Sequence, residues 1–136
     1  MLTALAEWGT YRFGDVAVSA IDLARRGFPM HPGLRGPGEN LSIAGDAKKF
    51  RTHWPSTAAL YLPGGEPPAV GALFKNEALA ATLGLMVEAE RRAGGDRLAG
   101  LRAARDAFYC GEPAEAIVAF AKEQGALLDR QDLEAF

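Results

Sequence analysis

Several features that would direct a function are scarce or missing. The chain has 136 residues and one cysteine, Cys110. No internal disulfide is available, so the fold rests on packing, and a lone cysteine leaves the compartment open. The two histidines, His31 and His53, lie far apart, with Asp46 near them in sequence and Cys110 the one thiol. No His-x-x-x-His or Cys-x-x-Cys spacing joins them, so no metal site is predicted. Charge of one sign is not in excess: 15 basic against 17 acidic residues give a formal charge of −2. Neither nucleic acid nor an acidic membrane surface is therefore an expected partner. No apolar run reaches the roughly 18 residues needed to cross a bilayer. The opening MLTALAEWGTYRF has no basic start leading into an apolar run, so no signal peptide is predicted. Internal repeats and low-complexity tracts are absent.

What is present is ordinary for a globular chain. The composition is 49% hydrophobic and 24% charged, which excludes a disordered or fibrous class. The length fits one domain, residues 1–136, or a piece of a larger one. Helical periodicity dominates. Leu2, Leu5 and Trp8 share a face and stop at Gly9. Phe13, Val16, Ala17, Ala20, Ile21 and Ala24 form a longer apolar stripe, closed by Arg25, Arg26 and Gly27. Residues 28–56, rich in proline and glycine, read as a loop with a short helix around residues 44–52. Residues 59–62 read as a short strand, Pro63-Gly64-Gly65 as a turn, and Pro67-Pro68 as the lead into a second extended piece.

From Asn76, a candidate N-cap, helices resume. Leu79, Leu83, Met86 and Val87 make the buried stripe, and Glu90, next on that face, is expected to carry it out to solvent. Glu88 and Arg92 are a favourably ordered i, i+4 pair. After Gly94-Gly95, Leu98, Leu101, Arg105 and Phe108 mark another helix, with an arginine where an apolar residue is expected. Pro113 opens the next, with Ala114, Ile117, Val118 and Ala121 inward and Gly125 at its close. Asp129 and Asp132 form a capping arrangement for a last helix. That helix stops at Phe136, which suggests continuation in a longer protein. The expected fold is mainly α, a helical subdomain with at most a small β-hairpin near Tyr61.

Other chemistry-bearing patterns are outweighed by structural readings. Cys110 sits in Phe-Tyr-Cys-Gly at a helix end and reads as a packed thiol rather than a nucleophile. Gly33, Gly36 and Gly38 lack the Lys-Ser/Thr of a phosphate loop and are broken by prolines. Arg91, Arg92, Arg97, Arg102 and Arg105 are balanced by Glu88, Glu90, Asp96 and Asp106 and read as a solvated face. Trp8 and Trp54 are lone anchors. No catalytic, cofactor-binding or metal-binding residue is assigned.

FKNEALAATLGLM resembles an Asn-x-x-Leu-Ala-x-x-Leu helix through Asn76, Leu79, Ala80 and Leu83. The stretch AFYCGEPAEAIVAFAKEQGALLDRQDLEAF is similar to Phe-Tyr-x-Gly, Ala-Glu-x-Ile, Gly-Gly-Leu and Asp-Leu-x-x-Tyr. Phe108, Tyr109, Gly111, Ala114, Glu115, Ile117, Gly125, Leu127, Asp132 and Leu133 carry that likeness. Upstream, Ala20, Ile21, Leu23, Ala24, Gly27 and Phe28 resemble an Ala-Ile-x-Leu-Ala-x-x-Gly-Phe helix end, and Tyr61, Gly65 and Gly71 a glycine-spaced turn. In this order the segments resemble the gamma-glutamyltransferase (gamma-glutamyltranspeptidase) family. Ala126 stands in place of the second glycine, Asp129 in place of a threonine cap and Phe136 in place of a tyrosine. Residues 94–103 look like an insertion, and residues 32–55 do not line up.

The resemblance implies an internal piece of the large subunit of an αββα-type N-terminal-nucleophile hydrolase. In that family a proenzyme cleaves itself. The new N-terminal threonine attacks a gamma-glutamyl amide with its own amine as base, and a glycine pair holds the oxyanion. The threonine and glycines follow the region resembled here and the carboxylate-binding arginine precedes it, so none is carried over. Transpeptidase, hydrolase and cephalosporin-acylase-like members stay open. The implied partner is the remainder of the parent enzyme. Self-association is also expected, through residues 2–8 or the C-terminal residues. The rival readings are a free-standing interaction module, with Leu79, Leu83, Ile117 and Phe120 as a partner groove, and a small enzyme using Cys110.

Overall fold

A computed structural model describes residues 2–36 and 42–136. The sequence reading of Pro37 and Gly38, including the third glycine of the phosphate-loop candidate, lies outside these. The described chain is mainly helical, as expected. Its elements run α1 (Leu2–Trp8), α2 (Phe13–Arg26), β1 (Phe28–Pro29), α3 (Pro32–Arg35), α4 (Ala47–His53), α5 (Pro55–Tyr61), a 3-10 turn (Pro63–Gly65), β2 (Leu73–Phe74), α6 (Glu77–Ala93), α7 (Arg97–Tyr109), α8 (Glu112–Glu123) and α9 (Arg130–Ala135). They form two compact units, one of residues 1–22 and 78–136 and one of residues 23–77.

The first unit is built from α1, most of α2 and the C-terminal helices. Its core is Phe13, Ala17, Met86, Leu101 and Ala104, with Leu2, Leu5, Ile21, Leu83, Val87 and Phe108 packed against it. Phe13 is fully buried. Small residues do much of the spacing here: Ala17 and Ala104 let helices approach while Phe13 and Leu101 fill the gap. The helix ends match their sequence signals. Asp96 accepts from the backbone N–H of Ala99 at the start of α7. At α9, Asp129 accepts from the Asp132 N–H while Asp132 accepts from the Asp129 N–H, a complete capping box. Gly125 follows α8 with φ of 69°, the left-handed conformation that ends helices.

Three inward assignments need correction. Val16 is exposed rather than buried, and so is Ala20. Leu79 is 45% exposed, and the inward face of α6 is instead Ala80, Met86 and Glu90. The apolar arc of α2 is wider than the stripe its neighbours cover, so periodicity alone assigned too many positions to the core.

The second unit holds its own core: Met30, Ile43, Ala47, Leu62 and Phe74, with Phe28, Phe50, Ala58, Leu60 and Tyr61 against it. Tyr61 stacks on Phe74 at 5.5 Å between ring centroids, and Phe28 meets Phe74 edge-on at 5.7 Å. The predicted helix around residues 44–52 is α4, and its neighbour is a surprise. Of residues 59–62, expected as a strand, 59–61 end the helix α5 and Leu62 is its C-cap. Pro55 occupies the first turn of α5, where its missing N–H leaves no bond unmade. The four-residue apolar run of residues 59–62 could not distinguish strand from helix. The extended pair is elsewhere: β1 and β2 pair antiparallel with Phe28 opposite Phe74 and Pro29 opposite Leu73. Two bonds extend the pairing, from Met30 N–H to the Ala72 carbonyl at 2.8 Å and from Gly71 N–H to the Met30 carbonyl at 2.9 Å. The 3-10 turn matches the Pro63-Gly64-Gly65 signal, with φ of 74° and 90° at its glycines.

Candidate functional site

The first unit contains one buried acidic side chain, Glu90, at 4% exposure. The expectation that Glu90 leads the α6 stripe to solvent is wrong. Its carboxylate turns inward to the first turn of α2, accepting from the Phe13 N–H at 2.7 Å and the Gly14 N–H at 2.8 Å. Asp15 accepts from the Arg12 N–H at 3.0 Å. Consecutive N–H groups at the start of α2, which have no partner within the helix, are thereby satisfied by carboxylates, where the helix dipole favours negative charge.

A complementary contact closes α1. The Arg97 guanidinium donates to the carbonyls of Leu5 and Ala6 at 2.9 and 3.0 Å, and a cation suits that helix end. Glu90 and Arg97 therefore hold the two ends of the α1–α2 connection. Sequence reading missed both roles. The one trace in the sequence was a carboxylate next on the apolar face of α6, which reads equally as a buried acceptor or as the end of the stripe.

On the outer face of α6, Glu88 forms a two-pronged pair with Arg91 at 2.7 and 2.8 Å and also accepts from Arg92 at 2.8 Å. The hydrogen bond from Arg91 is the main cause, with Arg92 adding to it, of a Glu88 pKa lowered from 4.5 to about 2. The folded value lies below the unfolded one. Any stability from this pair is therefore complete above the ordinary glutamate range and is lost as pH falls through about 2. A carboxyl NMR titration should place the Glu88 midpoint near 2 in the native chain. Replacing Arg91 and Arg92 together with alanine should return it toward 4.5. A midpoint unchanged by that double substitution would discard the assignment.

The remaining sequence candidates fall apart spatially or acquire structural roles. His31 Nδ1 accepts from the Gly33 N–H at 3.0 Å at the start of α3. Asp46 pairs with Lys49 at 2.7 Å, and His53 is exposed at the end of α4. Among the described residues, no three His, Cys, Asp or Glu side chains gather as a metal site. Cys110 is half-buried and caps the end of α7, where its carbonyl accepts from Arg130. Gly33 lies in α3 and Gly36 ends it. Of the arginine stretch, Arg91, Arg92, Arg97 and Arg105 all have protein partners.

A cavity of about 240 Å³ lies beside α1, α6 and α7. Leu2, Leu83, Met86 and Phe108 give it apolar walls, with Thr3, Arg105, Tyr109 and Phe136 at the remaining sides. Leu83 lines it, whereas Leu79, Ile117 and Phe120, its companions in the suggested partner groove, do not.

Comparison with known proteins agrees with this helical architecture. A family model described as gamma-glutamyltranspeptidase matches residues 1–136. The chain belongs to the gamma-glutamyltranspeptidase family. Among curated proteins it is similar to the acylase ACY 1 proenzyme of Pseudomonas sp. strain SE83, 33% identical over 130 residues. That match covers 96% of this chain and 20% of the acylase. The acylase ACY 1 proenzyme of Pseudomonas sp. strain V22 is 32% identical, with 98% and 20% covered. The chain thus spans about a fifth of the length of these relatives. Among solved structures, LmbA2991HD shares 30% identity at a TM-score of 0.85, covering 99% of this chain and 24% of that one. The gamma-glutamyltranspeptidase of Helicobacter pylori, at 21% identity, TM-score 0.76 and coverage of 99% and 33%, shares the fold. Family membership and the ordered helical segments agree with the resemblance read from Ala20 through Leu133.

Proposed function

We propose that residues 1–136 are a helical scaffold from the large subunit of a gamma-glutamyltransferase-like enzyme. The parent would transfer or hydrolyse acyl groups through an N-terminal threonine that this chain does not contain. The observation that carries the reading is the asymmetry of coverage: nearly all of this chain matches, yet only 20% of the acylase ACY 1 proenzyme and 24% of LmbA2991HD is matched. A free-standing enzyme of the family would need the other three-quarters. The name proenzyme on the acylase relatives fits a self-cleaving parent. Identity of 33% to an acylase against 21% to a transpeptidase supports the acylase branch.

In this reading Glu90 and Arg97 fix the α1–α2 connection, and no side chain here touches substrate. The isolated chain is expected to release no p-nitroaniline from gamma-glutamyl-p-nitroanilide. Turnover by pure protein overturns the proposal. Sequencing the flanking genomic DNA supplies the second test, since the reading requires a frame that continues toward a threonine nucleophile.

A scaffold lifted from a larger enzyme also exposes apolar surface that the remainder would cover. Trp8 is 80% exposed and Leu127 is 97% exposed. The isolated chain is expected to self-associate, with a light-scattering mass that rises with concentration. A constant monomer mass at high concentration contradicts this.

A further inference from the structure

Residues 23–77 leave α2 and return to α6 as one uninterrupted excursion, the smaller of the two units, and no terminal residue takes part in it. The described residues that carry it are 23–36 and 42–77. Its entry and exit are fastened to each other. On one side of the Phe28–Phe74 and Pro29–Leu73 pairs, the Asn76 N–H donates to the Ala24 carbonyl at 2.9 Å. On the other, the Met30 N–H donates to the Ala72 carbonyl at 2.8 Å and the Gly71 N–H to the Met30 carbonyl at 2.9 Å. Two arginines lace the returning stretch to the helices before it. Arg35 Nε donates to the Pro68 carbonyl at 3.0 Å and Arg51 Nε to the Gly65 carbonyl at 2.8 Å. All of these partners belong to the same unit.

Strands of two residues are too short to hold such an excursion closed by themselves. The clasp holds because its residues are also core. Phe74 is buried, stacks on Tyr61 and is met edge-on by Phe28, and Met30, the residue after β1, is buried too. Parting the strands therefore empties the core around Met30, Leu62 and Phe74, and emptying that core parts the strands. The core of the first unit, around Phe13, Leu101 and Ala104, shares none of these side chains. We propose that residues 23–77 open as a whole, released by the β1–β2 clasp, while the first unit stays folded. The smaller unit is the less stable one, because a smaller body buries a smaller share of its surface. Opening takes with it the last turn of α2, Leu23–Arg26, and leaves the Glu90-capped start in place. The scaffold and the part that changes shape are then different stretches of one chain, whatever the chemistry of the parent enzyme.

The test is amide hydrogen exchange of the 136-residue chain across a series of urea concentrations below the unfolding transition. The reporters in the second unit are the N–H groups of Met30, Phe50, Leu62 and Gly71, each bonded within that unit. Those in the first are Leu101 and Ala104, buried in α7. The four second-unit amides are expected to converge on one opening as urea rises, and to exchange at least about tenfold faster than Leu101 and Ala104. Phe74→Ala should accelerate all four by a common factor of at least about a hundredfold and leave Leu101 and Ala104 unchanged. Convergence of both sets on a single opening overturns the proposal, because the chain then unfolds as one body. Four separate openings with no urea dependence overturn it as well, because the amides then exchange by local fraying. So does a Phe74→Ala chain in which the two sets accelerate equally. Should Phe74→Ala fail to fold, the urea series on the native chain still decides.

Discussion

Replacing Glu90 with alanine is expected to lower the stability of the first unit by about 2–4 kcal/mol. The substitution removes the acceptor for two backbone N–H groups, those of Phe13 and Gly14, held at 2.7 and 2.8 Å. Phe13 is wholly buried, so its N–H cannot turn to water without opening the core around it. Hydrogen bonds to a charged acceptor contribute more than neutral ones, and a buried donor left alone costs its full desolvation. Glu90→Gln should cost less, roughly 1–2 kcal/mol, because one amide oxygen can still accept. Urea denaturation gives the magnitude, and amide hydrogen exchange gives the location. Exchange at Phe13 and Gly14 should accelerate more than at the remaining α2 amides. A Glu90→Ala chain with an unshifted urea midpoint would show that the cap is dispensable.

Glu90 also marks where sequence reading stops. Local signals were dependable. The α2 stripe around Phe13, Ala17 and Ala24, the glycine closure at Gly27, the proline start of α8 and the Asp129–Asp132 box are set by neighbours within a few residues. These appear in the structure where periodicity and capping chemistry put them. Glu90 faces a partner 76 or 77 residues away in sequence, and nothing local distinguishes a carboxylate aimed at a distant helix start from one at the end of a stripe. The same limit explains Arg105, whose anomaly was visible but whose position at the cavity beside α1, α6 and α7 required those helices to be in place.

The strand misreading has a different cause. Residues 59–62 are apolar and follow a region broken by prolines, which suggests an extended chain. Pro55, however, starts a helix rather than breaking one, and Ala58 and Ala59 favour its continuation. The pairing strands are two residues each, too short for alternation to show. Of the functional reading, only the ordered family segments were legible. Catalytic positions cannot be read from a stretch that, by the resemblance, lies between the substrate-binding arginine and the nucleophile.

The short sheet yields the second large effect. Gly27 follows α2, donates to the Leu23 carbonyl at 2.8 Å and has φ of 91°. A Cβ there would lie 2.8 Å from Leu73 Cγ, 2.9 Å from Lys75 Cγ and 3.0 Å from the Phe74 carbonyl oxygen. Two separate penalties follow for Gly27→Ala. The left-handed backbone costs a side-chain-bearing residue roughly 1–2 kcal/mol. Forcing atoms into the strand beside it costs roughly 1–3 kcal/mol more, since the Phe74 carbonyl belongs to the β1–β2 pairing and cannot move freely. The expected total is about 2–5 kcal/mol, read from the urea midpoint of the second unit. Gly64→Ala separates the two terms. Its φ is 74° with nothing within 4 Å of the added carbon, so it should show only the backbone part, roughly 1–2 kcal/mol. Equal losses at Gly27 and Gly64 would mean that the close approach of Leu73 and Phe74 has no energetic consequence. A larger loss at Gly27, with the edge-on contact of Phe28 and Phe74 weakened in NMR, would show that this glycine sets the spacing between the end of α2 and the sheet.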